Sequence, residues 1–141
     1  MGKKNPLPIL ITGGGRRIGL AVAWHFLNQK QPVIVSYRTH YPAIDGLREA
    51  GAICIPADFS TDEGVLAFAD EVKAQTDGLR AIVHNASAWL AEKPGTPLTD
   101  VLSAMMQIHV NTPYLLNHAL EGLLRRNSAV TSSAACFWLD E

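Results

Sequence analysis

The pattern that points most directly to chemistry is a glycine- and arginine-rich stretch, residues 12–19, with the sequence TGGGRRIG. An apolar run precedes it and a segment with helical spacing follows it, so the stretch joins a strand to a helix. Backbone N–H groups at a helix N-terminus attract anions, and glycine lets the backbone approach a pyrophosphate closely. We therefore interpret residues 12–19 as a phosphate-binding loop. A plain flexible turn is the alternative that three consecutive glycines also allow.

A second pattern lies at the end of the next apolar run, where Tyr37 and Arg38 are not accompanied by an Asp or Glu. In NAD-binding folds an acidic residue at this place binds the ribose hydroxyls. Such a group would repel a 2′-phosphate, whereas arginine can donate two charge-assisted hydrogen bonds to it. The pattern favours NADP(H) as cofactor, with Arg16 as a second cation. The alternative is that Arg38 is an ordinary solvated residue at a strand end.

An alternation of strands and helices must position these residues. Apolar runs predict strands at residues 8–12, 33–37, 53–56 and 81–84. Helical spacing predicts helices at 17–30, 42–50, 60 to about 76, and about 98–125. Ser60 and Glu63 have the spacing of a capping box, and Pro113 should bend the last helix or free a backbone carbonyl. Strands that are apolar on both faces predict an α/β fold, a Rossmann-type doubly wound parallel sheet of four or five strands.

Composition narrows the classes of function. The 141 residues are 48% hydrophobic and 18% charged, which predicts one domain with a substantial core. The 12 basic and 13 acidic residues give no basic surface for nucleic acid, and no apolar run is long enough to span a membrane. Cys54 and Cys136 are far apart in the sequence, which favours reduced thiols and a cytoplasmic location. The histidines lack metal-ligand spacing, so no metal site is expected.

Over residues 6–125 these motifs resemble those of the short-chain dehydrogenase/reductase family. Residues 12–19 are similar to the family's TGxxxGxG motif, with Arg17 in place of the middle glycine, a form typical of the pteridine-reductase branch. Residues 84–87, HNAS, resemble the NNAS motif of the same branch, with His84 in place of the usual Asn. Asn111 resembles the family's asparagine in the long helix.

The resemblance implies NADPH-dependent reduction of a dihydropterin. It places Arg17 beside both the cofactor phosphates and the pterin, Ser87 in the pterin pocket, and Asn111 in support of a proton relay. It also implies a homo-oligomer, although the sequence leaves the oligomeric state of this chain open. The cofactor contacts implied by the resemblance are Thr12, Gly13, Arg16, Arg17, Ile18, Gly19, Tyr37, Arg38, Asp58, Asn85 and Ala86.

One part of the family pattern is missing from the sequence. The family's proton donor is a tyrosine made more acidic by a lysine four residues later, and none of the three tyrosines has a lysine there. We therefore expect a truncated reductase, with an incomplete NADP-binding domain at 1–126 and a divergent tail at 127–141. The tail is either a fifth strand or a poorly fitting end. A non-catalytic NADP-binding fragment is the alternative function.

Several side chains outside the proposed binding contacts are expected to have structural roles only. Met105 and Met106 are expected in the core. His84 is expected to be a buried residue at a strand end, and His109 and His118 are expected to lie on a helix face without a catalytic role.

Overall fold

The computed structural model describes residues 5–125 and, beyond them, a short strand at residues 135–138. The strands are β1 (Ile9–Ile11), β2 (Val33–Tyr37), β3 (Ile53–Pro56), β4 (Ala81–His84) and β5 (Ala135–Trp138). They form one parallel sheet in the order β3-β2-β1-β4-β5. The predicted α/β fold and its four strands are confirmed. For the tail, residues 127–141, the sequence allowed either a fifth strand or a poorly fitting end. The structure has a strand there, β5, and the rest of the tail lies outside the described residues.

Helices cover both faces of this sheet. They are α1 (Arg17–Asn28), α2 (Pro42–Glu49), α3 (Asp62–Gln75), α4 (Leu98–Met106), α5 (Thr112–Ala119) and α6 (Glu121–Arg125). The predicted helical segment over about 98–125 is irregular, because a π-helical turn, Gln107–Asn111, joins α4 to α5 just before Pro113. Pro113 follows this turn at the start of α5, where its missing N–H is tolerated. The Gln107 carbonyl accepts hydrogen bonds from both the N–H and the hydroxyl of Thr112.

The core consists of two apolar layers, one on each face of the sheet. Leu10 and Ile82 belong to the layer that includes Phe68 of α3 and Leu116 of α5. On the opposite face, Ile11 belongs to the layer that includes residues of α1 and α2. The chain runs outward from β1 to β3 and then returns to place β4 on the other side of β1. In open parallel sheets, ligands bind at the carboxyl ends of the strands where the strand order reverses, here β1 and β4.

A row of apolar side chains along α4, the π-helical turn and α5 faces solvent. It consists of Leu98, Leu102, Met106, Val110 and Tyr114. The expectation that Met106 lies in the core was wrong, since 44% of its surface is exposed. None of the helices in the described part of the chain has the length and apolar character needed to cross a membrane.

Helix α3 begins one residue later than the capping-box pattern predicts. Thr61 is the N-cap, and its hydroxyl accepts the N–H of Gly64 at 3.1 Å. The N–H of Ser60 instead donates to the Asp58 carboxylate at 3.0 Å. Asp58 thus holds Ser60 in the preceding turn, which explains why Ser60 does not cap the helix.

Replacing Thr61 by alanine should lower the free energy of unfolding by about 1 kcal/mol, because Gly64 loses its hydrogen-bond acceptor. Ser60→Ala is the matched control, and as an exposed turn substitution it should cost less than about 0.5 kcal/mol. Urea denaturation followed by circular dichroism measures both. Equal losses in the two variants would contradict the observed cap.

Candidate functional site

The carboxyl ends of β1 and β4 are joined by hydrogen bonds centred on Thr12. Its hydroxyl oxygen accepts the backbone N–H groups of Asn85 and Ala86, each at 3.0 Å. The Asn85 side-chain amide donates in return to the carbonyls of Thr12 at 3.2 Å and Gly13 at 2.9 Å. The loop after β1 and the loop after β4 are therefore held together as one unit, which we call the Thr12 clamp.

Glycine is required in the loop after β1 because other parts of the chain approach it closely. Gly13 has a φ of 72°, a left-handed conformation, and a Cβ there would lie 2.8 Å from the Ala86 Cα. A Cβ on Gly19 would collide with the Gly13 carbonyl and the Asn85 amide. Gly15 has room, since the nearest atom to a Cβ there is 3.5 Å away. The packing favours a built binding loop over a plain flexible turn.

Arg17 has a left-handed backbone conformation, with a φ of 51°. For a residue with a Cβ this conformation costs roughly 1–2 kcal/mol, whereas glycine adopts it freely. The family motif has glycine at this position, which fits the observed conformation. Arg17 adopts this conformation despite its energetic cost, and its guanidinium lies at the edge of a cleft.

The loops after β1, β2, β3 and β4 enclose a cleft of about 290 Å³ at the carboxyl edge of the sheet. The predicted site residues that line it are Gly13, Arg16, Arg17, Ile18, Tyr37, Arg38, Asp58, Asn85, Ala86 and Ser87. Thr12 and Gly19 are buried and support the loop from behind. Lining residues outside the predicted cofactor and substrate contacts are Gly15, Thr39, Tyr41, Phe59, Ser60 and Ile108.

The cleft is rich in positive charge. Arg16, Arg17 and Arg38 are all exposed at its wall. Among the side chains that the structure describes, the ion pairs closer than 4 Å are His40–Asp45, Arg48–Asp45 and Lys73–Asp70, and none of these involves the three arginines. Hydrogen bonds from Ser60, with a smaller contribution from the charge of Arg38, hold the pKa of Asp58 below its usual value. Three cations beside one carboxylate suit a ligand with several negative charges.

Tyr37 is held in the cleft wall by residues that the sequence analysis missed. Arg48 donates a hydrogen bond to the Tyr37 hydroxyl at 2.9 Å. Asp45 accepts one from Arg48 at 3.5 Å and lies 2.9 Å from the His40 ring nitrogen. This network ties the end of β2 to α2. The sequence shows it only as charges at i and i+3 on a helix, which gives no indication that Tyr37 is their partner.

Asn111 and Ser87 have different hydrogen-bond partners. The Asn111 amide donates to the side chain of Gln107 at 3.0 Å, and Gln107 donates in turn to Asp62 at 3.0 Å. Asn111 is therefore directed towards the start of α3 and is absent from the cleft lining among the described residues. Ser87 instead pairs with His109, with 3.0 Å between its hydroxyl and Nε2. The sequence gives no signal for this pair, because the contact depends on the π-helical turn.

Comparison with family models identifies the relationship that this geometry suggests. The model of the short chain dehydrogenase family matches residues 8–133. The chain belongs to the short-chain dehydrogenase family. The resemblance inferred from TGGGRRIG and HNAS is therefore confirmed.

Two relatives of this short-chain dehydrogenase chain are dihydromonapterin reductases. The protein of Citrobacter koseri is 83% identical over 125 residues, which cover 89% of this chain and 52% of that protein. One from Escherichia coli is 77% identical over 137 residues, covering 97% of this chain and 57% of the relative. The chain thus spans about half the length of the curated relatives it matches.

Among solved structures, the Pseudomonas aeruginosa RhlG/NADP active-site complex superposes with a TM-score of 0.80 and is 27% identical. The match covers 94% of this short-chain dehydrogenase chain and 53% of that one. The observed sheet and its flanking helices are therefore those of the family.

His84, which replaces the usual Asn of the NNAS motif, is buried at the end of β4 with 5% of its surface exposed. Its Nε2 lies 2.8 Å from the side-chain oxygen of Asn117 on α5. Burial lowers the pKa of His84, and the hydrogen bond to Asn117 offsets part of that effect. The neutral imidazole therefore packs between β4 and α5, as expected for a buried residue at a strand end.

The lowered pKa of His84 predicts that the fold loses stability in mild acid. The unfolded imidazole takes up a proton near pH 6.5, whereas the folded one resists protonation, so the unfolded state binds more protons there. The free energy of unfolding should fall as the pH decreases below about 6.5 and level off below the folded pKa. His84→Asn is the control. Urea denaturation between pH 7.5 and 5.5 should show a steeper loss in the wild type, and identical losses would contradict the prediction.

Proposed function

We propose that the cleft binds NADP(H) and that the chain supports NADPH-dependent reduction of a dihydropterin. The observation that carries the cofactor assignment is the meeting of Arg16, Arg17 and Arg38 beside a loop in which close packing leaves no room for a side chain at positions 13 and 19. The high identity to dihydromonapterin reductases supports a pterin substrate. Dihydromonapterin is the proposed substrate, with dihydrofolate a weaker one.

The residues present fit a phosphorylated dinucleotide. The N-terminus of α1 and the close-packed loop after β1 suit a pyrophosphate. Arg38, with Arg16 nearby, suits a 2′-phosphate, because guanidinium groups form charge-assisted hydrogen bonds with phosphate oxygens. Asp58 remains ionised at the far end of the cleft, where it can accept a hydrogen bond from the adenine amino group. Asn85 is proposed to contact the ribose while bracing the loop through the Thr12 clamp.

Substrate would lie at the end of the cleft formed by Arg17 and Ser87. NADPH supplies the hydride for the C=N bond of the pterin when it is bound. Arg17 would hold the pterin beside the cofactor phosphates, and Ser87 would hydrogen-bond to it. Support of a proton relay by Asn111 remains a proposal, since its side chain is engaged by Gln107.

A non-catalytic NADP-binding chain is the second candidate. It is favoured by one observation, that no tyrosine in the 141 residues has a lysine four positions later. The test is whether adding dihydromonapterin causes oxidation of NADPH, measured as a loss of nicotinamide absorbance. Such oxidation would support the reductase. NADPH binding without turnover would support the second candidate. Absence of NADPH binding would overturn both.

The broader organisation also remains proposed. We propose that residues 1–126 form the NADP-binding unit, although β5, beyond that boundary, pairs with β4. A cytoplasmic location and a homo-oligomer complete the proposal.

Arg38→Ala should weaken NADPH binding by about 10- to 100-fold, since it removes hydrogen bonds between charged groups, while NADH binding changes little. Lys73→Ala is the matched control, because Lys73 pairs with Asp70 on α3 and does not line the cleft. Fluorescence titration with each cofactor measures the affinities. Equal losses for NADH and NADPH would show that Arg38 does not bind the 2′-phosphate.

A further inference from the structure

Ser87 and His109 form a pair at the substrate end of the cleft. The Ser87 hydroxyl lies 3.0 Å from Nε2 of the His109 ring. The other ring nitrogen, Nδ1, lies 3.1 Å from the carbonyl oxygen of Met105. Both nitrogens of one half-buried imidazole are thus engaged, one by the backbone of its own helix and one by a residue that lines the cleft.

The Met105 contact decides which nitrogen carries the proton. A carbonyl oxygen can only accept a hydrogen bond, so Nδ1 must be the donor. In a neutral imidazole Nε2 is then an acceptor, and the Ser87 hydroxyl must donate to it. The Ser87 hydroxyl proton is therefore used in the hydrogen bond to His109. The lone pairs of its oxygen remain to face the cleft.

Both partners are anchored by the surrounding structure. Ser87 follows Ala86, whose N–H is bound by the Thr12 clamp. His109 lies within the π-helical turn, where the Thr112 backbone N–H donates to the Gln107 carbonyl and the Thr112 hydroxyl donates to the same oxygen at 2.8 Å. Single π-helical turns within α-helices occur frequently at functional sites. Here the turn places the His109 ring within hydrogen-bonding distance of Ser87.

We propose that His109 is a positioning residue that fixes the Ser87 hydroxyl as a hydrogen-bond acceptor towards the substrate. The part of the substrate that meets Ser87 must then offer an N–H or O–H donor. A dihydropterin does so through its amino group and ring N–H groups, whereas a carbonyl edge at the same place would face lone pairs without a donor. This inference rests on the proposed function, because it assumes a pterin beside Ser87.

The first test compares pterin affinities of four variants of the full chain. Calorimetry measures the affinity of dihydromonapterin for the chain saturated with NADP⁺. His109→Phe removes the acceptor and should weaken this binding roughly five- to tenfold, as expected for one neutral hydrogen bond. His109→Gln keeps an amide oxygen as acceptor and should restore most of the affinity. Ser87→Ala combined with His109→Phe should bind no more weakly than Ser87→Ala alone, because His109 acts through Ser87.

NADPH affinity separates this inference from a general loss of structure. It should stay within about twofold of wild type in all four variants, since one missing neutral hydrogen bond at the substrate end leaves the phosphate contacts in place. Independent losses from Ser87→Ala and His109→Phe, which add in the double variant, would overturn the positioning role. A wild-type chain that binds NADPH and no pterin would overturn the proposed substrate.

The second test reads the His109 tautomer directly and needs no substrate. Nitrogen-15 NMR of the wild-type imidazole rings, with His109→Gln to assign the signal, distinguishes a protonated Nδ1 from a protonated Nε2. The proposal expects the Nδ1–H tautomer in the neutral His109 ring. A predominant Nε2–H tautomer would overturn it, whatever the substrate of the protein.

Discussion

The Thr12 clamp is the constraint on which the rest of the site depends. Thr12 is buried, so its hydroxyl must find partners within the protein, and it accepts two backbone N–H groups from the loop after β4. Asn85 returns two hydrogen bonds to carbonyls that leave the end of β1. Loss of either side chain would remove the partner of two backbone groups in a part-buried position, which should destabilise the joint between the two loops. The clamp thereby fixes the distance between two walls of the cleft.

Close packing around the clamp shapes the loop that we propose as an anion-binding site. Gly13 packs against the Ala86 backbone, and Gly19 packs against the Gly13 carbonyl and the Asn85 amide, so the loop after β1 lies close to the loop after β4. Arg17 keeps a left-handed backbone next to it. Backbone strain of this kind persists where the surrounding structure enforces it, and it is concentrated at functional sites. Arg16, Arg17 and Arg38 then add positive charge beside this glycine-containing loop.

Much of the fold could be predicted from the sequence, and most of the predicted cofactor contacts do line one cleft. The strands were readable because each is an apolar run between turn residues, and the loop at 12–19 because its glycines stand between a strand and a helix. The π-helical turn was missed. Pro113 in a segment with helical spacing predicts a bend, but it does not show which backbone carbonyl changes its hydrogen-bond partner. The prediction that Ser60 caps α3 was wrong, because the Asp58 carboxylate accepts the Ser60 N–H and holds Ser60 in the preceding turn. The Ser87–His109 and Tyr37–Arg48 pairs were missed because they join residues that only the folded chain brings together.

The most direct measurement of the central claim is an amide NMR titration of the uniformly labelled chain with NADP⁺ and, separately, with NAD⁺. NADP⁺ should shift the signals of residues 13–19, 37–39 and 85–87, which belong to three different loops of one cleft. NAD⁺ should shift the first and third groups with a much weaker effect on Arg38 and Thr39. If neither cofactor perturbs the amides of Gly13 to Gly19, the clamped loop is not a phosphate site and the account is wrong.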